Sequence, residues 1–279
     1  MTESAADLVV EGRTLARYVW EPDLPLAYAP RPYLHPVTTP AGTVVTELMP
    51  ASHRHHAGVS IAVPDVDGAN FWGGRTYIAG HGPAWLDNQG IQRHERWLEQ
   101  RPSQLAHAVR WSSPAGETLL TEERVLTARG ATDTAWVLGL SFALTNATDR
   151  PLEIRSPAAA GRTGAGYGGF FWRAPGSNRV FGPAGVGLDA VHGQTCDWIA
   201  VTGAAWTLVF TAADDVTRAD PWFVRTRDYT GVGSALSWDV PLTLPPGGTA
   251  VRSIATVVAD GELSDDEAAE LVDLTRTAR

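Results

Sequence analysis

Lysine is absent from the 279 residues, and all 22 basic side chains are arginine. Without a side-chain amine there is no Schiff-base chemistry, no pyridoxal phosphate anchor and no Walker-A phosphate loop. Cysteine occurs once, at Cys196, which excludes an intrachain disulfide, a CxxC pair and a zinc ribbon. Long apolar runs are missing too. The longest, residues 135–144, is about half the length that spans a bilayer. Positive charge is in deficit: 31 Asp and Glu leave a formal net charge of −9, which opposes a role on nucleic acid or an anionic membrane surface. Residues 1–10 carry acids and no basic segment, so no signal peptide is expected. A cytoplasmic location follows as the expectation, and the sequon at 146–148 then carries no weight.

Hydrophobic residues make up 44% and charged residues 19%, which is a globular composition. The dominant period is two. Thr14, Ala16, Tyr18 and Trp20 alternate against Leu15, Arg17 and Val19, and Trp136, Leu138, Leu140, Phe142 and Leu144 give one bulky face to a strand over 134–146. Strands are also predicted over 43–48, 58–63, 118–128, 222–226 and 250–258. A hairpin is predicted from 198–201 and 206–211. Turn residues at 40–42, 149–151 and 245–248 separate these runs. The pattern predicts an all-β class: a single antiparallel β-sandwich domain over 1–279. The one persuasive helix starts at the capping box Ser264-Asp265-Asp266-Glu267 and carries Ala268, Leu271 and Val272 on one stripe, suited to a sheet edge or a neighbour. Residues 158–185, rich in glycine and aromatics without clean periodicity, read as a long functional loop. Exposed strand edges make a homodimer compatible with the sequence.

Six of the eight histidines fall between residues 35 and 94: His35, His53, His55, His56, His81 and His94. On a strand His53 and His55 would share a face and His56 would point away, so three ligands to one metal would need a bulge or loop. Imidazole suits acid–base work at neutral pH and equally suits Zn, Cu or Fe. The plain alternative is a set of hydrogen-bonded polar residues at a strand mouth. Tryptophan is abundant, at 11. Trp72, Trp85 and Trp172 keep company with Asn, Asp, Gly and Arg, which suits a sugar: indole for the apolar ring face, polar groups for the hydroxyl rim. On Trp136, Trp198 and Trp206 the strand pattern favours core, and core filling stays open as the alternative for Trp72 and Trp172. Residues 164–169 formally match GxGxxG, but no βαβ unit surrounds them and Pro175-Gly176 follows where a helix should run, so a dinucleotide site is excluded. Cys196 has nothing nearby to activate it.

Larger blocks carry a family resemblance. Arg31-Pro32-Tyr33-Leu34-His35-Pro36, residues 39–46, His53-Arg54-His55-His56-Ala57-Gly58, Asn70-Phe71-Trp72-Gly73, residues 166–173 and Pro221-Trp222-Phe223-Val224-Arg225 resemble the bacterial family labelled methane oxygenase PmoA-like. Its histidine motif usually reads His-Pro-His-His-(Arg or Lys)-Gly; here Arg54 replaces the proline and Ala57 the basic residue. The label is not literal, because a membrane methane monooxygenase subunit needs transmembrane helices. The resemblance implies a large antiparallel β-supersandwich similar to galactose mutarotases, with a sugar-binding face.

Together these readings predict a carbohydrate-active enzyme acting on a sugar or (keto)glycoside by histidine general acid–base catalysis, of epimerase, lyase, isomerase or hydrolase type. The expected acid–base pair is His56 and His35, with His53 and His55 as alternates. Tyr33, Asn70, Trp72, His94, Tyr167, Trp172, Arg173 and Trp222 are the expected substrate-binding residues. Arg173 and Asn70 would hold hydroxyls or a developing oxyanion; Trp72, Trp172 and Tyr167 would stack. The expected partner is a small-molecule sugar or glycoside, with no cofactor, metal, nucleic acid or membrane. The alternatives are a non-catalytic sugar-binding module and a His-coordinated metal-dependent enzyme.

Overall fold

Strand Ala135–Asn146 shows how the sequence builds the molecule. Trp136, Leu138, Leu140, Phe142 and Leu144 are buried in one core, while Ala135 and Val137 belong to a second on the opposite face. The structure, a computed structural model, describes residues 4–177 and 179–276. This strand sits inside a nine-stranded antiparallel sheet, between Thr118–Thr132 and Thr249–Asp260. The predicted hairpin, Trp198–Gly203 with Trp206–Ala212, continues the same sheet.

A seven-stranded antiparallel sheet packs against it. Its order is Ser4–Val10, Arg13–Glu21, Tyr33–Val37, Val59–Ala62, Gly169–Ala174, Thr230–Ala235 and Trp222–Arg225. The main core joins the two sheets, with Leu34, Ile61, Phe170, Trp172 and Val224 from one meeting Trp136, Phe142, Leu208 and Phe210 from the other. Trp172 meets Phe210 edge-on at 5.5 Å between ring centroids.

The outer faces of the two sheets are finished differently. Helix Asp265–Arg276 covers the nine-stranded sheet, seating Ala268 and Val272 on Val209, Ala255 and Val257. Its capping box forms: Glu267 Oε2 accepts from the Ser264 backbone at 2.8 Å and hydroxyl at 2.7 Å, and Ser264 Oγ accepts from the Glu267 N–H at 3.3 Å. The helix therefore docks on a sheet face rather than an edge. The seven-stranded sheet instead carries two smaller aromatic and aliphatic clusters, one of them Ala62, Trp72, Phe171 and Phe223 with Tyr167, Tyr229 and Trp238.

Two predicted elements differ. Residues 43–48 make only isolated bridges, Thr38 with Val44 and Leu48 with Ala57. The Val45 N–H bonds the Val37 carbonyl but the Glu47 N–H bonds that of Arg173, so the partner changes before a ladder can extend. Residues 158–185 are not one loop. They contain Gly169–Ala174, a strand near the middle of the seven-stranded sheet, and Arg179–Gly182. All six residues of Gly169–Ala174 are buried, and a strand covered on both faces has no polar alternation to betray it. No helix among the described residues is long and apolar enough to cross a membrane.

Candidate functional site

A cavity of about 850 Å³ opens on the outer face of the seven-stranded sheet. Phe223 and Arg225 line it, while the alternate residues Trp222 and Val224 enter the core between the sheets. The remaining wall comes from the turn at 51–56, from Trp72, Gly74, Arg75 and Trp85, from Arg162 and Tyr167, and from residues 226–229.

The histidine segment is a pair of turns, not a strand. The His53 N–H donates to the Pro50 carbonyl at 2.8 Å, and the His56 N–H to the His53 carbonyl at 3.0 Å. The turns bring all three imidazoles together. His53 stacks on His56 with centroids 4.7 Å apart and planes 22° apart, His55 meets His56 edge-on at 4.7 Å, and His53 and His55 are 5.9 Å apart. Buried Arg31 ties this turn to its neighbours. Its guanidinium donates to the carbonyls of His55 at 2.6 Å, Tyr28 at 3.0 Å, Ala29 at 3.1 Å and Trp72 at 3.2 Å, and its Nε to Ser60 Oγ at 3.1 Å. Burial, with Arg124 nearby, pulls Arg31 down to about 9, so it remains a cation at neutral pH. Gly74 is required beside His55. Its φ is +71°, and a Cβ there would stand 2.8 Å from His55 Nδ1.

His56 lies deepest of the three, with 2% of its surface exposed. Phe171, Tyr229 and Trp72 surround its ring at 5.0, 5.1 and 5.9 Å. Its Nδ1 is buried without a hydrogen-bond partner. Burial first, then His55, His53, Arg173 and Arg31, hold it well below the usual imidazole range, so it is neutral at pH 7. Burial pulls His55 down to about 3, with help from Arg31 and His53, and lowers His53 less. A neutral imidazole offers one acceptor nitrogen, and two phenols share the cavity wall: Tyr229 beside His53 and His56, and Tyr167 beside Trp72. Burial pushes Tyr229 up to about 12 and raises Tyr167, so both keep their protons. The cavity can therefore take a proton on nitrogen and give one from oxygen. No three His, Cys, Asp or Glu among the described residues are grouped to hold a metal ion. In the stacked pair the in-plane lone pairs of two nearly parallel rings do not aim at one point.

Of the residues singled out from the sequence, His53, His55, His56, Trp72, Trp85 and Tyr167 converge on this cavity. Trp72 and Tyr167 are in contact at 4.5 Å. Asn70 shapes the wall from behind, its Oδ1 accepting from the Trp72 and Gly73 N–H groups at 2.9 and 2.8 Å. Arg173 lies beneath Tyr229, its guanidinium carbon 4.6 Å from the ring centroid, and pairs with Glu47 at 2.6 Å. The others lie elsewhere. Trp172 points into the core between the sheets, its indole N–H donating to the Val45 carbonyl at 2.8 Å. Trp222 does likewise, donating to the Cys196 carbonyl at 3.0 Å. Tyr33 is buried with Val19 and Ala57. His35 lies outside the cavity wall, its Nδ1 2.9 Å from Thr46 Oγ1. His94 borders a second cavity of about 630 Å³.

The reason for Trp172 and Trp222 is strand parity. On Gly169–Ala174, Phe170 and Trp172 face the core, so Phe171 and Arg173 face the site; on Trp222–Arg225 the same rule selects Phe223 and Arg225. That rule could have found Phe171, Phe223 and Arg225 once both segments were read as strands. Arg31 and Tyr229 had no local signal.

A family model described as "Family of unknown function (DUF6807)" matches residues 5–273. The chain belongs to the DUF6807 family. No curated protein matches it. Several solved structures are similar to this DUF6807 chain. A galactose mutarotase related enzyme from Lactobacillus acidophilus aligns with TM-score 0.49 and 8% identity over 94% of this chain and 99% of that one. An aldose epimerase homologue from C. elegans aligns with TM-score 0.39 and 8% identity over 94% of this chain and 100% of that one. The heparan sulfate lyase HepC from Pedobacter heparinus aligns with TM-score 0.31 and 12% identity over 62% of this chain and 22% of that longer one.

Proposed function

We propose that this DUF6807 chain is a carbohydrate-active enzyme of isomerase, lyase or hydrolase type. In this reading a sugar or ketoglycoside binds in the cavity above the seven-stranded sheet. A histidine of the 53–56 turn takes a proton from a hydroxyl or from the carbon next to a carbonyl, and a tyrosine phenol returns one to the oxygen that gains charge. His56 is the first choice for the base and Tyr229 for the acid. His53 replaces His35 in the supporting position, because it stacks on His56 while His35 bonds Thr46. The observation that carries the reading is the unpartnered Nδ1 of His56, buried in an aromatic box behind a cavity wall to which His56 contributes. A structural histidine would have spent that nitrogen on a protein partner. Trp85, 58% exposed at the cavity wall, and the Trp72–Tyr167 pair supply flat faces for a pyranose ring.

The test is NMR observation of neutral hexoses, hexuronates and 3-ketoglycosides incubated with the protein in D₂O. Turnover or solvent deuterium at a sugar carbon is expected, and His56→Gln should slow it by about 10²–10⁴-fold while leaving the melting curve in place. Unchanged turnover in a folded His56→Gln protein removes His56 from the chemistry. Sugar binding without any exchange or turnover makes the protein a binding module.

A further inference from the structure

The cavity has a charge that the rest of the chain does not. The molecule carries −9, yet five arginines, Arg54, Arg75, Arg162, Arg225 and Arg227, line this one space against a single carboxylate, Asp228. Among the described residues none of the five is ion-paired, whereas ten other arginines are. Two of the five reach adjoining aromatic residues, one at a hydroxyl and one over a ring face. Arg162 donates to the Tyr167 hydroxyl at 3.4 Å, the guanidinium carbon of Arg225 lies 5.5 Å from the Phe223 ring centroid, and those two rings are 5.3 Å apart. Behind them Arg173, 4% exposed, keeps its Nε and Nη1 without partners, as His56 keeps its Nδ1. Arg54, Arg75, Arg162 and Arg227 are exposed and screened by water in the free protein. A ligand that displaces that water removes the screening, and an anionic group offsets the gathered positive charge where a neutral one does not.

We propose that the substrate carries an anionic group, a carboxylate or a phosphate, held between Arg162 and Arg225. This rests on the reading of the cavity as a sugar site and narrows the substrate to acidic sugars. A guanidinium presents paired N–H donors that match two oxygens of either group, and its charge does not titrate near neutral pH. The Tyr167 hydroxyl and the Phe223 ring face position the two forks, so a second face of the ligand is left for the imidazoles of the 53–56 turn and for Trp85.

Titration calorimetry on the full chain, at low and at physiological salt, tests the proposal with matched gluco, galacto and manno sets. Each set contains the neutral hexose, the hexuronate and the hexose 6-phosphate; acetate and inorganic phosphate are the non-sugar probes. An acidic sugar should bind at least about tenfold more tightly than its neutral partner, and added salt should weaken it. Arg162→Gln and Arg225→Gln should each erase about tenfold of that preference, with melting temperatures within about 2 °C of the parent. Whether the hexuronate or the phosphate wins identifies the anion. Equal affinity for neutral and acidic sugars, or folded arginine variants with undiminished preference, overturns the anionic substrate and leaves the sugar site standing. Acetate or phosphate binding as tightly as the acidic sugars does the reverse. Failure of every ligand to bind removes both.

Discussion

Two groups of buried histidines in this molecule look alike in their titration and differ in their hydrogen bonds. His107 is fully buried in the main core region, and burial, with Arg124 and His94 nearby, pulls it down to about 2. It closes a chain of contacts. His107 Nδ1 is 2.9 Å from His94 Nδ1, its Nε2 is 2.7 Å from the Tyr18 hydroxyl, and that hydroxyl accepts from Arg124 Nη1 at 3.2 Å. Arg124 is held in turn by both carboxylate oxygens of Glu122, at 2.6 and 2.8 Å, and by Gln92 Oε1 at 3.0 Å; Trp111 Nε1 also donates to Glu122. One proton assignment satisfies every member: Tyr18 donates to His107 Nε2, and His107 Nδ1–H donates to His94. His55 and His56 are desolvated to a similar degree, yet His56 ends on an empty nitrogen and Arg173 on two. A depressed pKa marks burial in both places. Only the unfilled hydrogen-bonding capacity separates a site from a scaffold.

The largest test of this contrast is Glu122→Ala. It leaves Arg124 charged and buried, and urea unfolding should show a loss of about 3–5 kcal/mol. His107→Leu comes next, at about 2–4 kcal/mol, since it strands the Tyr18 hydroxyl and His94 Nδ1. Acid should weaken both clusters in the same pH window. The unfolded chain binds protons at its histidines below about pH 6.5, whereas folded His55 and His107 resist protonation down to about 3 and about 2. Stability is therefore full above pH 6.5 and falls as pH drops from there toward 3, by at most about 1.4 kcal/mol per pH unit for each group. Unfolding measured at several pH values should show a shallower acid slope in His107→Leu. The smallest effect is expected for His56→Leu, within about 1 kcal/mol, because no protein partner of Nδ1 is stranded. A loss at His56 as large as that at His107 would erase the distinction.

Much of the fold was readable because antiparallel strands with one dry face alternate: Ala135–Asn146, Thr249–Asp260 and the Trp198–Gly203 hairpin lie within a few residues of their expected bounds. The capping box announced the last helix. Gly169–Ala174 was hidden because both its faces are buried, and with it went the parity that sends Trp172 inward and Arg173 outward. Within the candidate site, the histidine cluster, Trp72 and Tyr167 were legible as unusual residues in unusual company. Tyr229 and Arg31 were not, because their places depend on contacts between segments far apart in the chain.

Strand Gly169–Ala174 offers almost nothing but apolar side chains to its neighbours Val59–Ala62 and Thr230–Ala235, so hydrophobicity alone would let it slide. Arg173 is its one charged residue. A slip by a single position would drive that guanidinium into the interior beside Phe210 and push Trp172 out among the imidazoles. The cation under the cavity thus also polices how the central strands pair, and a chain that misfolds at this point forfeits its cavity wall and its core together.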